Sequence, residues 1–336
     1  RAVYGFPNNG ISVKDSRPGF FRWRGPTWAL SGDYSLCWCA ASASIPCNEP
    51  ADFVVLIGTL RITGPYVLPA ASQAHICVRG QQCTIMNMEG TLRASSQLFI
   101  ASDPCGSGAP IGAPRAGESL PSVDGRTFSW GSEALTAPPG KYRLCWCPTV
   151  GDCLGEAIRY TSFSGLLRVK GPTTPQQYRF CPLNSACNIT GLEGEALSSG
   201  DLVMAMTVCG YGRVADGFAN GGVSIATLND GSVFTMPPST EGGLYRACWC
   251  AAESICDLPY EFVVDLGQLQ VGGPDSSAMY ECFEWVTCSI DYLYGTWLAD
   301  GDRLLVVPSG VNCATMKLPL PRVSGVPQGG ISTAAA

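Results

Sequence analysis

Three times the chain places two cysteines on either side of a tryptophan: Cys37-Trp38-Cys39, Cys145-Trp146-Cys147 and Cys248-Trp249-Cys250. Paired thiols offer two chemistries, thiolate coordination of a metal and disulfide formation. A zinc set needs four donors in characteristic short pairs, and the sequence lacks a doubled Cys-x2-Cys pattern. The total of 18 cysteines is even and regular, which favours disulfides formed in an oxidising compartment and predicts no metal site. General acid–base catalysis is a poor prospect, because the only histidine, His75, has Arg179 and Tyr280 at the equivalent positions. His75 therefore reads as a surface side chain and the chain as a non-enzyme without a cofactor. Asp201 and Asp302 precede apolar runs and read as turn-fixing carboxylates rather than calcium ligands.

The cysteines belong to a tandem repeat. Trp38, Trp146 and Trp249 lie 108 and 103 residues apart, the length of one small domain per repeat. A tyrosine (Tyr34, Tyr142, Tyr245) precedes each Cys-Trp-Cys. After it come a further cysteine (Cys47, Cys153, Cys256), a Gly-x-Leu (Gly58-Leu60, Gly165-Leu167, Gly267-Leu269) and a Gly-Pro (Gly64-Pro65, Gly171-Pro172, Gly273-Pro274). A Cys-x5-Cys follows each Gly-Pro (Cys77/Cys83, Cys181/Cys187, Cys282/Cys288), and then a single cysteine (Cys105, Cys209, Cys313). With Gly-Pro as the edge, residues 65–172 and 173–274 are complete repeats, 1–64 the back half of one, and 275–336 the front half of another. The expectation is a window cut from a longer array, or copies that complete one another by exchanging halves. The closing Ala334-Ala335-Ala336 reads as placeholder or tail.

In Tyr142-Arg143-Leu144-Cys145-Trp146-Cys147 the residues alternate, so a strand sends Tyr, Leu and Trp to one face and Arg and both Cys to the other. The aromatic face belongs in a core, which makes Tyr34, Trp38, Tyr142, Trp146, Tyr245 and Trp249 repeat-core residues. Cysteines two apart on a strand have side chains that run parallel on one face, so each needs a separate partner. Among fifteen connectivities per six cysteines, the most economical is local: Cys77–Cys83, Cys105–Cys145 and Cys147–Cys153. It repeats as Cys181–Cys187, Cys209–Cys248 and Cys250–Cys256, with Cys39–Cys47 and Cys282–Cys288 in the halves, leaving Cys37 and Cys313 without partners.

Gly 40 and Pro 25 point to many turns, and no capped helical periodicity is evident, so the chain reads as all-β, a series of tandem disulfide-rich β-sandwich domains. A tyrosine after a glycine turn and before a strand cysteine resembles the tyrosine corner of immunoglobulin-like sandwiches. Charged residues make up only 14%, well below the roughly 25% of a soluble domain, so the surface is covered with Ser, Thr, Gly and Pro or is partly occupied by partners. Net charge −6 without a basic cluster argues against nucleic acid, and no apolar run reaches the ~18–20 residues of a membrane span. Asn188-Ile189-Thr190 is a glycosylation sequon.

The whole unit resembles the long tandem Cys-Trp-Cys repeats of large secreted or surface proteins of algae and alveolate protists, with the immunoglobulin-like mastigoneme proteins of flagellar hairs as the functional analogy. The resemblance implies an extracellular glycosylated filament that self-associates or adjoins neighbouring repeats of the same long chain. Two other readings stay open: an adhesive ectodomain binding through loops such as 105–129 and 209–220 or through Phe20-Phe21-Arg22-Trp23-Arg24, and a secreted enzyme or accessory module.

Overall fold

The structure is a computed structural model. It describes all residues except 1–2, 15–16, 18, 43–45, 67–73, 149–152, 154–155, 174–176, 227, 229, 276–277, 312, 314–324 and 333–336, so the Ala334–Ala336 tail lies outside the described residues. β-Strands and short 3-10 turns dominate, and the chain divides into two compact units, Arg1–Lys170 and Gly171–Ala336.

In the first unit, β1 (Gly32–Trp38) and β2 (Val55–Ile62) form an antiparallel pair. Six strands follow: β3 (Ala74–Val78), β4 (Gln82–Ile85), β5 (Gln97–Ala101), β6 (Phe128–Ala134), β7 (Gly140–Cys147) and β8 (Ser162–Pro172). One sheet runs β3-β8-β7-β5, with β3 parallel to β8 and the other contacts antiparallel. The second layer is the antiparallel pair β4 and β6. β5, β7 and β8 take the places of strands C, F and G of an immunoglobulin sandwich, and β4 and β6 those of B and E. The tyrosine corner is present: Tyr142 donates its hydroxyl proton to the Pro138 carbonyl at 2.7 Å, as Tyr34 does to Leu30 at 2.6 Å. Leu98, Ile100, Phe128, Trp130, Leu144 and Trp146 fill the space between the layers.

The second unit contains β9 (Gln177–Pro182), β10 (Cys187–Ile189), β11 (Leu202–Met206), β12 (Val223–Ala226), β13 (Phe234–Met236), β14 (Gly243–Cys250) and β15 (Val264–Pro274). The order β9-β15-β14-β11-β12-β13-β10 is continuous, because β12 joins the C-like strand β11 to the opposite layer. β9 again lies parallel to the last strand.

The Gly-x-Leu motif has a local cause. Along β7 and β8 the register slips between Leu144, opposite Gly165, and Cys145, opposite Phe163. The same slip follows Leu36 opposite Gly58, and it recurs between Arg246 and Cys248 near Gly267. At these bulges Gly58, Gly165 and Gly267 have φ of +153°, +147° and +120°, a region costly for any residue with a Cβ.

Two expectations are corrected. Trp38 does not belong to a core: it is 42% exposed, against 6% for Trp146 and 0% for Trp249, because no second layer covers β1 and β2 among the described residues. The stretch around Phe128-Ser129-Trp130 is not the end of a variable surface loop, since alternation places Phe128 and Trp130 fully inside β6. The cysteine face of the central strand is covered as well. Cys145, Cys147, Cys153, Phe99 and Tyr160 form a second buried cluster on the outside of that sheet.

Candidate functional site

Eight disulfides organise the described chain. Cys77–Cys83 ties β3 to β4, Cys181–Cys187 ties β9 to β10, and Cys282–Cys288 closes the same spacing in the last segment. Cys105–Cys145 and Cys209–Cys248 join the C-strand end to the central strand, with Cα–Cα distances of 5.6 and 5.4 Å. Cys39–Cys47, Cys147–Cys153 and Cys250–Cys256 pin the loop after the central strand. Cys37 and Cys313 are exposed free thiols. Tyr34, Tyr142 and Tyr245 are half-buried.

The outer clusters differ in polarity between repeats. In the first, Tyr160 is fully buried, stacks on Phe99 with centroids 5.1 Å apart, and donates to Glu118 at 2.7 Å; Gln97 also donates to Glu118, at 3.0 Å. Burial and the Glu118 carboxylate hold the Tyr160 phenol far above its usual range. In the second, fully buried Phe262 packs with Met204 and Met206 against Cys248, Cys250 and Cys256. In the first arrangement Glu118 is satisfied by both donors while Gln97 Oε1 is buried without a partner; the second is apolar apart from its sulfurs. Tyr160 and Phe262 were missed in the sequence because neither lies in the alternating Cys-Trp-Cys strand.

Other expected positions resolve locally. Asp201 is buried and fixes a turn, accepting from Ser198 N and Oγ at 2.9 Å each and from Ala252 N at 3.0 Å. Asp302 accepts from Ala299 N at 2.9 Å. Among the described residues no group of three or more His, Cys, Asp or Glu is placed to hold a metal. His75 is half-buried rather than on the surface, its Nε2 has no hydrogen-bond partner, and burial lowers its pKa below 6.5. Asn188 is exposed on β10, where its Oδ1 accepts from Thr235 Oγ1 at 2.8 Å, and Thr190 is exposed two residues on. Phe20 and Phe21 are 52% and 53% exposed, whereas Trp23 donates its indole proton to Gly10 O at 2.7 Å.

The Gly-Pro edges are structured. Gly64–Pro65 pairs with Gly90–Thr91, Gly171–Pro172 with Gly194–Glu195, and Gly273–Pro274 with Gly295–Thr296. At each, two backbones meet directly: a Cβ on Gly90, Gly194 or Gly295 would collide with the carbonyl oxygen of Gly64, Gly171 or Gly273. Tyr66 N, Thr173 N and Asp275 N extend the pairing to Glu89, Glu193 and Tyr294 carbonyls at 2.8–2.9 Å. The signal in the sequence is a glycine seven residues after Cys83, Cys187 and Cys288, visible only once the clamp shows why its side chain must be absent.

No family model matches the chain. It is 22% identical over 302 residues to cysteine repeat modular protein B of Toxoplasma gondii, covering 77% of this chain and 4% of that protein. Solved structures aligned with it include Sidekick-1 immunoglobulin domains 1–4, at 10% identity and TM-score 0.20 over 62% of this chain and 47% of that one. A chimeric titin Z1Z2 tandem aligns at 14% identity and TM-score 0.18, over 62% of this chain and 99% of that chain. The chain is thus similar to a cysteine-repeat modular protein, and it is all-β and disulfide-rich.

Proposed function

We propose that the chain is a structural stretch of an extracellular, glycosylated filament or cell-surface appendage of mastigoneme-like type. On this reading 65–172 and 173–274 are complete β-sandwich repeats, and 1–64 and 275–336 are half-repeats that adjoin further repeats or other copies. The observation that carries it is the triplicated clamp at the Gly-Pro edges: a strand leaves one repeat and at once pairs in the next, so no slack linker remains at Gly64–Pro65 or Gly273–Pro274. Disulfides that span loops and stapled outer faces supply resistance to proteolysis and pulling in an oxidising medium. No helix among the described residues is long and apolar enough to cross a membrane. N-glycans on Asn188 would cover an exposed strand edge region poor in charge.

Electron microscopy of the protein secreted from a eukaryotic host tests this reading. Regular filaments of constant width are expected, with Asn188→Gln removing one glycan mass; dispersed particles that never assemble would overturn it. A second reading, an adhesive ectodomain, draws support from exposed Phe20 and Phe21. It requires that Phe20→Ser/Phe21→Ser abolish cell or glycan binding while leaving assembly intact.

A further inference from the structure

Two features occur together in the 173–274 repeat, and they meet on one face. The sequon Asn188-Ile189-Thr190 has Thr84-Ile85-Met86 and Ser289-Ile290-Asp291 at the same positions of the other copies. The aromatic pair Tyr178 and Phe180 is matched there by Ala74 and Ile76, and by Met279 and Glu281. Of these three copies, the one that holds the glycan acceptor is the one that holds the two rings.

Strand alternation turns both features outward. On β10 Ile189 is fully buried, so Asn188 and Thr190 on either side of it face solvent. On β9 Cys181 is buried, and Tyr178 and Phe180 on the alternate face are 71% and 53% exposed. The two strands lie side by side: Cys181–Cys187 bridges them with Cα atoms 5.4 Å apart, and Arg179 Nη1 donates to Thr190 O at 3.0 Å. Between these two ties Phe180 stands abreast of Asn188. Its ring is laid down on the sheet, because a Cβ added to Gly272 on β15 would lie 2.9 Å from its Cε2. The first complete repeat has Lys170 in place of that glycine.

The acceptor is aimed at the rings. Asn188 Oδ1 accepts from Thr235 Oγ1 on β13 at 2.8 Å, which turns Nδ2, the atom that carries sugar, away from β13 and toward β9. Beside the rings β15 places Gln270 opposite Phe180 and Gln268 opposite Tyr178. These amides are neutral donors and acceptors, suited to hydroxyl and acetamide groups rather than to a charged partner.

We infer that the first N-acetylglucosamine units of an Asn188 glycan lie across Phe180 and Tyr178, with their C–H faces on the rings and their polar groups toward Gln268 and Gln270. The bond to Nδ2 makes the contact intramolecular, so an attraction too weak to hold a free sugar is populated by effective concentration. The seated glycan covers an apolar patch on β9, which ends its sheet and is otherwise open to pairing with another chain. The inference rests on the glycan at Asn188 in the proposed function and specifies where it sits.

The test secretes the whole 336-residue chain from a eukaryotic host in parental form and as Thr190→Ala, Phe180→Leu and the double variant. Thr190→Ala empties the sequon yet keeps Asn188 and its bond to Thr235. Intact mass first reports whether Asn188 carries a glycan. In calorimetry the glycan is expected to raise the midpoint of the sandwich that holds Asn188 by about 4 °C or more, and by about half of that or less beside Phe180→Leu. Trimming to the single asparagine-linked sugar should keep most of the gain. In the parental protein, sugar C–H protons should move upfield and show nuclear Overhauser contacts to Phe180, a readout that needs no variant to fold. An equal glycan shift with and without Phe180, or sugar protons at free-solution positions, would overturn the seat and leave the glycosylated filament reading standing. Protection of Phe180 by a second copy or an added oligosaccharide, with the glycan in place, would also overturn it. A chain without glycan mass on Asn188 would overturn both the seat and the glycan of the filament reading, while microscopy still judges assembly.

Discussion

Truncating Trp146 measures how much of the repeat's stability resides in its Cys-Trp-Cys motif. The indole is 6% exposed and packs among Leu98, Phe128, Trp130 and Leu144 between the two layers. A buried tryptophan removes about 150–250 Å² from water, and at ~25 cal/mol per Å² this is worth roughly 4–6 kcal/mol. Its Nε1 is buried without a hydrogen-bond partner, a cost of ~1–3 kcal/mol that the alanine variant recovers. The cavity left behind works the other way, and the net expectation for Trp146→Ala is a loss of about 3–5 kcal/mol. Trp146→Phe keeps most of the apolar contact and removes the orphaned N–H, so it should cost under about 1.5 kcal/mol. Trp38→Ala provides the internal control: the same motif, 42% exposed with no opposing layer, should lose only about 1–2 kcal/mol. Calorimetry of the intact chain is the assay, with a 3–5 kcal/mol loss lowering the transition of the sandwich that holds Trp146 by roughly 12–20 °C. Equal shifts for Trp146→Ala and Trp38→Ala, or a Trp146→Ala shift under about 4 °C, would refute the assignment of the motif to the core.

Replacing both cysteines of Cys105–Cys145, separated by 40 residues, should cost about 4 kcal/mol, against about 2 kcal/mol for Cys77–Cys83, separated by 6; equal losses in urea melts would show that loop entropy is not the source. Non-reducing mass mapping should recover Cys77–Cys83, Cys181–Cys187 and Cys282–Cys288, and free thiols at these positions would count against the local staples. Gly90→Val should break the pairing with Gly64–Pro65 and expose that junction to protease, while Gly10→Val, where a Cβ meets nothing within 4 Å, serves as the strain-only control. Burial depresses the His75 pKa, so the folded state resists the proton that the unfolded chain accepts near pH 6.5. Stability is therefore full above that value and falls as pH drops through it, and His75→Gln should flatten this part of the profile; an unchanged slope would remove His75 as its source.

How much of this was legible in the sequence depends on the range of the interactions involved. Alternation along Tyr142–Cys147 displays an all-β strand because neighbouring side chains on a strand point to opposite faces whatever lies around them. The short cysteine spacings are similarly local. What a single strand cannot display is what covers its second face: the outer cluster of Phe99, Cys145 and Tyr160 depends on loops drawn in by Cys105 and Cys153. Nor can it display its missing neighbours, and Trp38 carries the same flanking residues as Trp249 yet stands in the open. Trp130 was undervalued because it lies in a segment without cysteine landmarks, although its indole donates to Gly117 O at 2.8 Å from a fully buried site.

The glycine contact at Gly64 and Gly90 separates two kinds of sequence freedom. Because peptide groups meet there without side chains between them, the joint's shape is indifferent to the residues that decorate either repeat. Loops, sequons and outer-face aromatics can then diversify from copy to copy without being transmitted into the joint. An array assembled this way can carry many different surfaces on one invariant spine, and the only coding demand at each connection is that two positions stay without a side chain.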